Sequence, residues 1–118
     1  MILQNYLIAN GHNYDNTTVD NKIAKSLCST TLWNTNSNVG TPSNNLSLNN
    51  SSGFSAVPSG YRGYDGSYYL LGNACYYWTT TNYSLGNAEI RYMGINNANL
   101  MITNSNKNYG YSVRCIKN

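Results

Sequence analysis

Charge is what this sequence has least of. Charged residues make up 9% of its 118 positions, against about a quarter of an ordinary soluble chain. The acids are Asp15, Asp20, Asp65 and Glu89, the only histidine is His12, and three cysteines complete the reactive side chains. A hydrolase built on paired carboxylates, a dinuclear metal centre or a zinc cluster has almost nothing to draw on, so the expectation is no catalytic residue, no metal and no cofactor. Calcium wants six to eight oxygens with several carboxylates among them, which four scattered acids do not supply. The seven basic residues form no run, whereas nucleic-acid binding usually shows a basic face or stripe, so no nucleic-acid partner is expected. No apolar run approaches the ~18 residues of a membrane span, so membrane insertion is not expected either. The first residues, MILQNYLIANG, have neither a basic leading region nor a small-residue cleavage site and do not read as a signal peptide.

What is abundant is amide and hydroxyl. Asn, Ser and Thr together supply 45 of the 118 residues, 22 of them Asn. Such bias invites a reading of disorder, but disordered chains lack aromatics and carry high net charge. This one has 12 Tyr, 2 Trp and a formal net charge of +3. It reads as one compact domain over residues 1–118, expected to be the C-terminal part of a longer protein. Its surface is solvated by amides and hydroxyls rather than charges, a composition that suits a secreted or cell-surface protein.

The chain opens helical and ends extended. Ile2, Leu3, Tyr6 and Leu7 fall on one helical face, and Gly11 stands where a C-cap glycine belongs, predicting a helix over 2–10. Val19, Ile23 and Leu27 recur every four residues behind Thr17 and Thr18 as N-cap candidates, predicting a second helix over 18–28. Residues 29–52 read as a long surface loop pinned by Trp33, Leu46 and Leu48. Beyond Gly53 the period becomes two. Asp65-Gly66 between Tyr61–Tyr64 and Ser67–Leu70 signals a hairpin, and four further strands are expected over 75–81, 88–93, 99–103 and 111–116. Helices followed by antiparallel strands make an α+β fold, with Phe54, Trp78, Val113 and Ile116 expected in its core.

Several motifs carry a resemblance. Residues 51–62, SSGFSAVPSGYR, resemble the GFSALPGGYR stretch of the Fibrobacter succinogenes major paralogous domain family. Tyr77-Trp78-Thr79-Thr80-Thr81 stands where that family has YWWSST, and residues 109–116, YGYSVRCI, resemble its closing GFSVRCV strand. Lys22-Ile23-Ala24-Lys25-Ser26-Leu27, Thr31, Trp33 and Asn34 match upstream, so the likeness spans nearly the whole chain. The resemblance implies a C-type-lectin-like fold, with two helices packed on a twisted antiparallel sheet. It also implies a place on a bacterial surface, in a secreted protein or on a virion tail. Related domains serve as variable receptors diversified by retroelements, phage tail adhesins among them, and the group is related to formylglycine-generating enzymes. The family's N-terminal strand and Cys-Pro-x-Gly-Trp motif are absent here. The resemblance implies that Cys115 pairs with that missing cysteine. Either the strand is cut away, another segment replaces it, or the edge of the C-terminal strand stands open to self-association. Cys28 and Cys75 read as buried free thiols, with a Cys28–Cys75 or Cys75–Cys115 bridge as the alternatives. Trp33-Asn34-Thr35 does not reproduce the lectin calcium motif. Arg62 and Arg114, in the two strongest motifs, are expected to satisfy carbonyls or acids.

A ligand-binding face is expected within 76–109. Tyr76, Asn82, Tyr83, Ser84, Asn87, Tyr92, Asn96, Asn97, Asn99, Thr103, Asn104, Asn106, Asn108 and Tyr109 are the residue types of antibody paratopes, where rigid tyrosines supply area and small polar groups adapt. Asn/Gly-rich segments also serve simply as turns and solvated strand faces. Retroelement mutagenesis of adenines converts Asn codons mainly to Tyr, Ser, Thr, Asp, Gly and Ile, the set that dominates this segment. Met93, Met101, Glu89 and Lys107 then read as scaffold, and Ala88, Ile90, Leu100 and Ile102 as the alternating apolar positions. The function expected is a non-enzymatic ligand-binding or adhesion domain whose partner is a protein or glycan on a cell surface. The alternatives are a structural module without its own ligand, and an enzyme of the formylglycine-generating kind.

Overall fold

A computed structural model describes residues 2–115 and 117. Helix α1 runs over Ile2–Ala9. Gly11, at φ +75°, ends it in a Schellman motif: the His12 N–H bonds the Leu7 carbonyl at 3.0 Å and the Gly11 N–H bonds that of Ile8 at 3.1 Å. Its apolar side is only partly used, because Leu7 is buried while Ile2, Leu3 and Tyr6 remain exposed.

The second helix is shorter than its periodicity predicts. Only Ala24–Leu27 is helical, as α2. Residues 18–21 are bent instead, 22 and 23 are irregular, and Asp20 is left-handed at φ 61°. The reason lies in Asn13. Its buried amide donates to the carbonyls of Thr17, Val19 and Asp20 at 3.0, 2.9 and 3.2 Å, and its Oδ1 accepts the Lys22 N–H at 2.9 Å. Those are the backbone groups that helical bonds would have used, so the side chain competes successfully with the helix. Val19 is exposed as a result.

Residues 29–52 are irregular apart from a single 3-10 turn at Leu46–Leu48, yet they are pinned from below. Trp33 is buried, Leu46 packs on the core and Leu48 is exposed. The stronger pin is Lys25, only 6% exposed. Its ammonium donates to the Asn44 and Asn45 carbonyls, the latter at 2.9 Å, and to Asn49 Oδ1 at 2.8 Å. Burial pulls its pKa below the usual lysine value.

Strands β1 (Tyr61–Arg62) and β2 (Tyr68–Tyr69) form the expected hairpin, with Tyr61 opposite Tyr69. Gly66, at φ 86°, closes its turn, and Asp65 Oδ1 accepts the Ser67 N–H at 3.0 Å. Strands β3 (Ala74–Asn82), β4 (Asn87–Gly94) and β5 (Met101–Asn106) make an antiparallel sheet in the order β3-β4-β5. The last of these starts later than the alternation suggests. The Ala98 carbonyl is taken by the Ala24 N–H, and Leu100 by the Asn21 side chain, so 98–100 is held to the body.

No strand forms over 111–115. Gly110 makes an isolated bridge to Arg62, and Ser112 one to Tyr77. Arg114 then lies across Phe54 at the surface: its guanidinium is 4.0 Å over the ring and bonds the Phe54 carbonyl. Val113 is consequently 70% exposed rather than core. Ile116, the other core residue expected there, lies outside the described residues.

One side of the sheet is the core side. Cys75 and Met93 pack with Leu7, Ile23, Ala24, Leu27, Cys28, Trp33 and Ala56, and Phe54 and Tyr77 cover them from partly buried positions. Trp78, expected in this core, is half-buried on the other side. All three cysteines are free: Cys28 and Cys75 are buried and Cys115 is exposed. No helix among the described residues is long and apolar enough to cross a membrane.

Candidate functional site

Period-two alternation sends Tyr76 and Trp78 to the side of the sheet opposite Cys75 and Tyr77. Cross-strand register adds Tyr92 and Ile90 from β4, then Met101 and Thr103 from β5. That side becomes aromatic because two further segments fold over it. The β1–β2 hairpin brings Tyr61, Tyr64 and Tyr69, and the chain after β5 brings Tyr109 and Tyr111. Tyr61 is the hub, with centroid distances of 5.3 Å to Tyr69, 5.2 Å to Tyr76, 5.9 Å to Tyr109 and 5.7 Å to Tyr111. Tyr76 stacks on Tyr92 at 5.2 Å and 12°, and on Tyr111 at 5.3 Å and 24°. Tyr109 is nearly parallel to Tyr111 at 8°, and Trp78 meets Tyr111 edge-on at 4.8 Å. These separations lie in the range where ring quadrupoles add to burial.

The inner rings of this cluster are half-buried, while its rim opens to solvent: Tyr64 is 74% and Tyr69 42% exposed. Burial, followed by the neighbouring Tyr61, Tyr92 and Tyr111, pushes the Tyr76 phenol up to about 12. Burial also raises Tyr111, whose hydroxyl is 2.8 Å from Ser105 Oγ. On the rim the Tyr69 hydroxyl donates to Asp65 Oδ2 at 2.8 Å, which raises the phenol. The Ser67 backbone N–H and that hydroxyl hold Asp65 below its usual value. The result is a preordered surface of flat apolar rings edged with hydroxyls.

The residues expected to form the site divide into three places. Tyr76, Tyr92, Thr103 and Tyr109 belong to the aromatic side. Asn82, Tyr83, Ser84, Asn87, Asn106 and Asn108 gather at the β3–β4 tip, where the Lys107 ammonium bonds Asn82 Oδ1 at 2.7 Å and the Ser84 and Leu85 carbonyls at 3.1 and 3.2 Å. Asn104 lies on the core-side register but accepts the Asn87 amide at 2.9 Å. Asn96, Asn97 and Asn99 occupy the β4–β5 connection at the other end, with Asn96 beside Asn38. The eight residues of β4 separate the two ends by roughly 23 Å at ~3.3 Å per residue. Tip and connection therefore do not share one surface.

Sequence reasoning missed Tyr61, Tyr64, Tyr69, Tyr111 and Trp78. The signal was present, because residues 61–69 carry four tyrosines around the Asp65-Gly66 turn. Nothing local says that this hairpin folds across the later strands.

Two clefts lie on the helical side. One, of about 400 Å³, is lined by polar groups including Asn10, His12, Tyr14 and Ser51. The other, of about 520 Å³, is lined by Leu3, Tyr6, Leu7, Leu27, Phe54 and Arg114. His12 Nδ1 lies 3.0 Å from Ser51 Oγ between them. Among the described residues, no group of three or more His, Cys, Asp or Glu side chains gathers to hold a metal.

Arg114 satisfying a carbonyl over Phe54 is the structural use expected from its motif. Gly60, in the same GYR stretch as Arg62, stands at φ +64° with the Tyr69 carbonyl 2.0 Å from where a Cβ would be, so that position admits only glycine. No curated protein and no solved structure matches the chain. Phe54, Gly60 and Arg114, all in the stretches that carry the resemblance, make these structural contacts, and the profile of the Fibrobacter succinogenes major domain family matches residues 1–117: the chain belongs to that family.

Proposed function

We propose that this domain is a non-enzymatic binding module, an adhesion or receptor domain whose contact surface is the tyrosine-covered side of the sheet. The observation that carries this reading is the ring network joining Tyr61, Tyr64, Tyr69, Tyr76, Tyr92, Tyr109 and Tyr111, half-buried within and exposed at its rim. Stacked tyrosines lose little rotamer freedom on binding, and their hydroxyls give direction to a contact made mainly by apolar area. The partner class is a glycan or protein on a cell surface. The asparagines of the β3–β4 tip form a second, variable rim, suited to retroelement diversification because substitution there disturbs no packed ring. The architecture that fits best is C-type-lectin-like, supported by the order of two helices, a long pinned loop and then antiparallel strands. A cell-surface, secreted or virion-tail location accompanies it, supported by the low charge and the wealth of Asn, Ser and Thr.

The test is a glycan and protein array probed with the labelled domain, repeated with variants. Tyr64→Ala and Tyr69→Ala should each weaken a confirmed contact by about 1–3 kcal/mol and leave the far-ultraviolet circular dichroism unchanged. Chelation of divalent ions should not alter binding. Contacts indifferent to these tyrosines but lost with Tyr6→Ala or Lys22→Ala would move the site to the helical side and overturn the reading.

A further inference from the structure

The two edges of the three-stranded sheet are treated differently. The β3 edge is covered: the Trp78 N–H bonds the Ser112 carbonyl and the Ser112 N–H the Tyr76 carbonyl, both at 3.0 Å, and the Gly60 N–H bonds the Ala74 carbonyl at 2.8 Å. The β5 edge is open. Its inner side is laddered to β4, and among the described residues no backbone hydrogen bond joins its outer side to another segment.

Proteins guard such edges with charge, proline, bulges or covering segments, because unpaired backbone groups recruit another strand. β5 reads Met-Ile-Thr-Asn-Ser-Asn, with no charge and no proline, and its register with β4 is unbroken. Lys107, which follows the strand in sequence, is turned to the β3–β4 tip and does not guard the edge. Ile102 and Thr103 are exposed. A formal net charge of +3 offers little repulsion between copies.

We propose that two copies of this chain join β5 to β5 in antiparallel pairing, forming one six-stranded sheet about a two-fold axis normal to it. The occupant is a second copy because the strand complements itself. Directly opposed residues in an antiparallel pair point to the same side, and a two-fold axis normal to the sheet keeps like sides together. Pairing centred on Thr103 then places it opposite the partner's Thr103, with Ile102 opposite the partner's Asn104 and Met101 opposite the partner's Ser105. A cross-strand threonine pair is favourable, and no like charges meet. A strand without charge has nothing with which to select an acidic or a basic foreign peptide. In such a dimer both aromatic sides face one way, so a multivalent surface would meet two at once. That consequence rests on the binding reading above, whereas the pairing itself does not.

The test is the oligomeric state of the whole chain by sedimentation equilibrium up to about 100 μM, with no ligand present. The expected mass is twice 13.1 kDa. Thr103→Lys and Thr103→Glu should each weaken dimerisation by about tenfold or more, by setting like charges face to face, and mixing the two variants should restore it as a heterodimer. Hydrogen exchange supplies a measurement without substitutions: the amides of 101–106 that point away from β4 should gain protection as concentration rises. A wild-type monomer at the top concentration overturns the proposal. So does a dimer that neither variant weakens, one that mixing fails to restore, or one whose outward-pointing 101–106 amides stay unprotected. Loss of array binding by a chain that still dimerises would overturn only the binding reading.

Discussion

Lys25 shows how much one residue can hold. Its ammonium is buried without an acid beside it and is satisfied by three oxygens of residues 44–49. Removing a hydrogen-bonded charge strands its acceptors, which costs more than the bonds contributed. Lys25→Ala should therefore destabilise the domain by about 2–4 kcal/mol in urea unfolding, and proteolysis should reach 29–52 first. Tyr76 makes a pH-dependent contribution of the opposite character. Its phenol ionises near 12 in the fold and at the ordinary 10.0 when unfolded, so the neutral form is favoured by folding. That stability is fully present below pH 10.0 and is lost as pH rises through about 12. Unfolding midpoints should fall across that window, less steeply in Tyr76→Phe. Asp15 acts at the other extreme. Lys22 and Thr17 hold its carboxyl near 2, so its contribution is present above 3.8 and is lost as pH falls through about 2.

Among the elements, the β1–β2 hairpin decides whether the aromatic side exists. It contributes only four strand residues of its own, too few for a hairpin to be stable in isolation. What seats it is the bonding of Gly60 to Ala74, the mutual pairing of Arg62 and Gly110 and the packing of Tyr61 among four other tyrosines. Gly60→Ala combines a left-handed backbone with a clash against the Tyr69 carbonyl. It should cost about 2 kcal/mol or more and release the hairpin, read out as loss of the near-ultraviolet tyrosine circular dichroism ahead of the far-ultraviolet signal. A cooperative single transition would instead mean that hairpin and sheet unfold together.

The whole molecule sorts its thiols by layer. Cys28 and Cys75 lie in the core, and burial, then the neighbouring Cys75 thiol, push the Cys28 thiol up. Cys115 stands exposed. Because the thiolate is the reacting species, an aromatic disulfide reagent should titrate Cys115 quickly in the native protein, and all three cysteines only after denaturation. Fast reaction of all three would mean an open core. The same layering explains the surface: apolar area concentrates on the inner side of the sheet and, as rings, on the outer. Amides and hydroxyls solvate most of the rest.

How far this could be read from residue order depends on the range of each cause. Residue order alone suffices for the features whose causes lie within a few positions: α1 and its Gly11 cap, the Asp65-Gly66 turn, the alternation of β3 and β4, and the motifs that mark the family. The other features arise from contacts between distant segments. Residues 18–23 have helical spacing, but a side chain from Asn13 captured their carbonyls. Val113 alternates like a strand residue, but the chain there follows the contact of Arg114 with Phe54. Lys25 reads as an ordinary surface cation until the 44–49 carbonyls close around it. The tyrosines of 61–69 and of 109–111 meet because two separate segments cross one sheet. Local propensity is a property of a window, whereas burial and ring contact belong to pairs that the chain brings together only once it has folded.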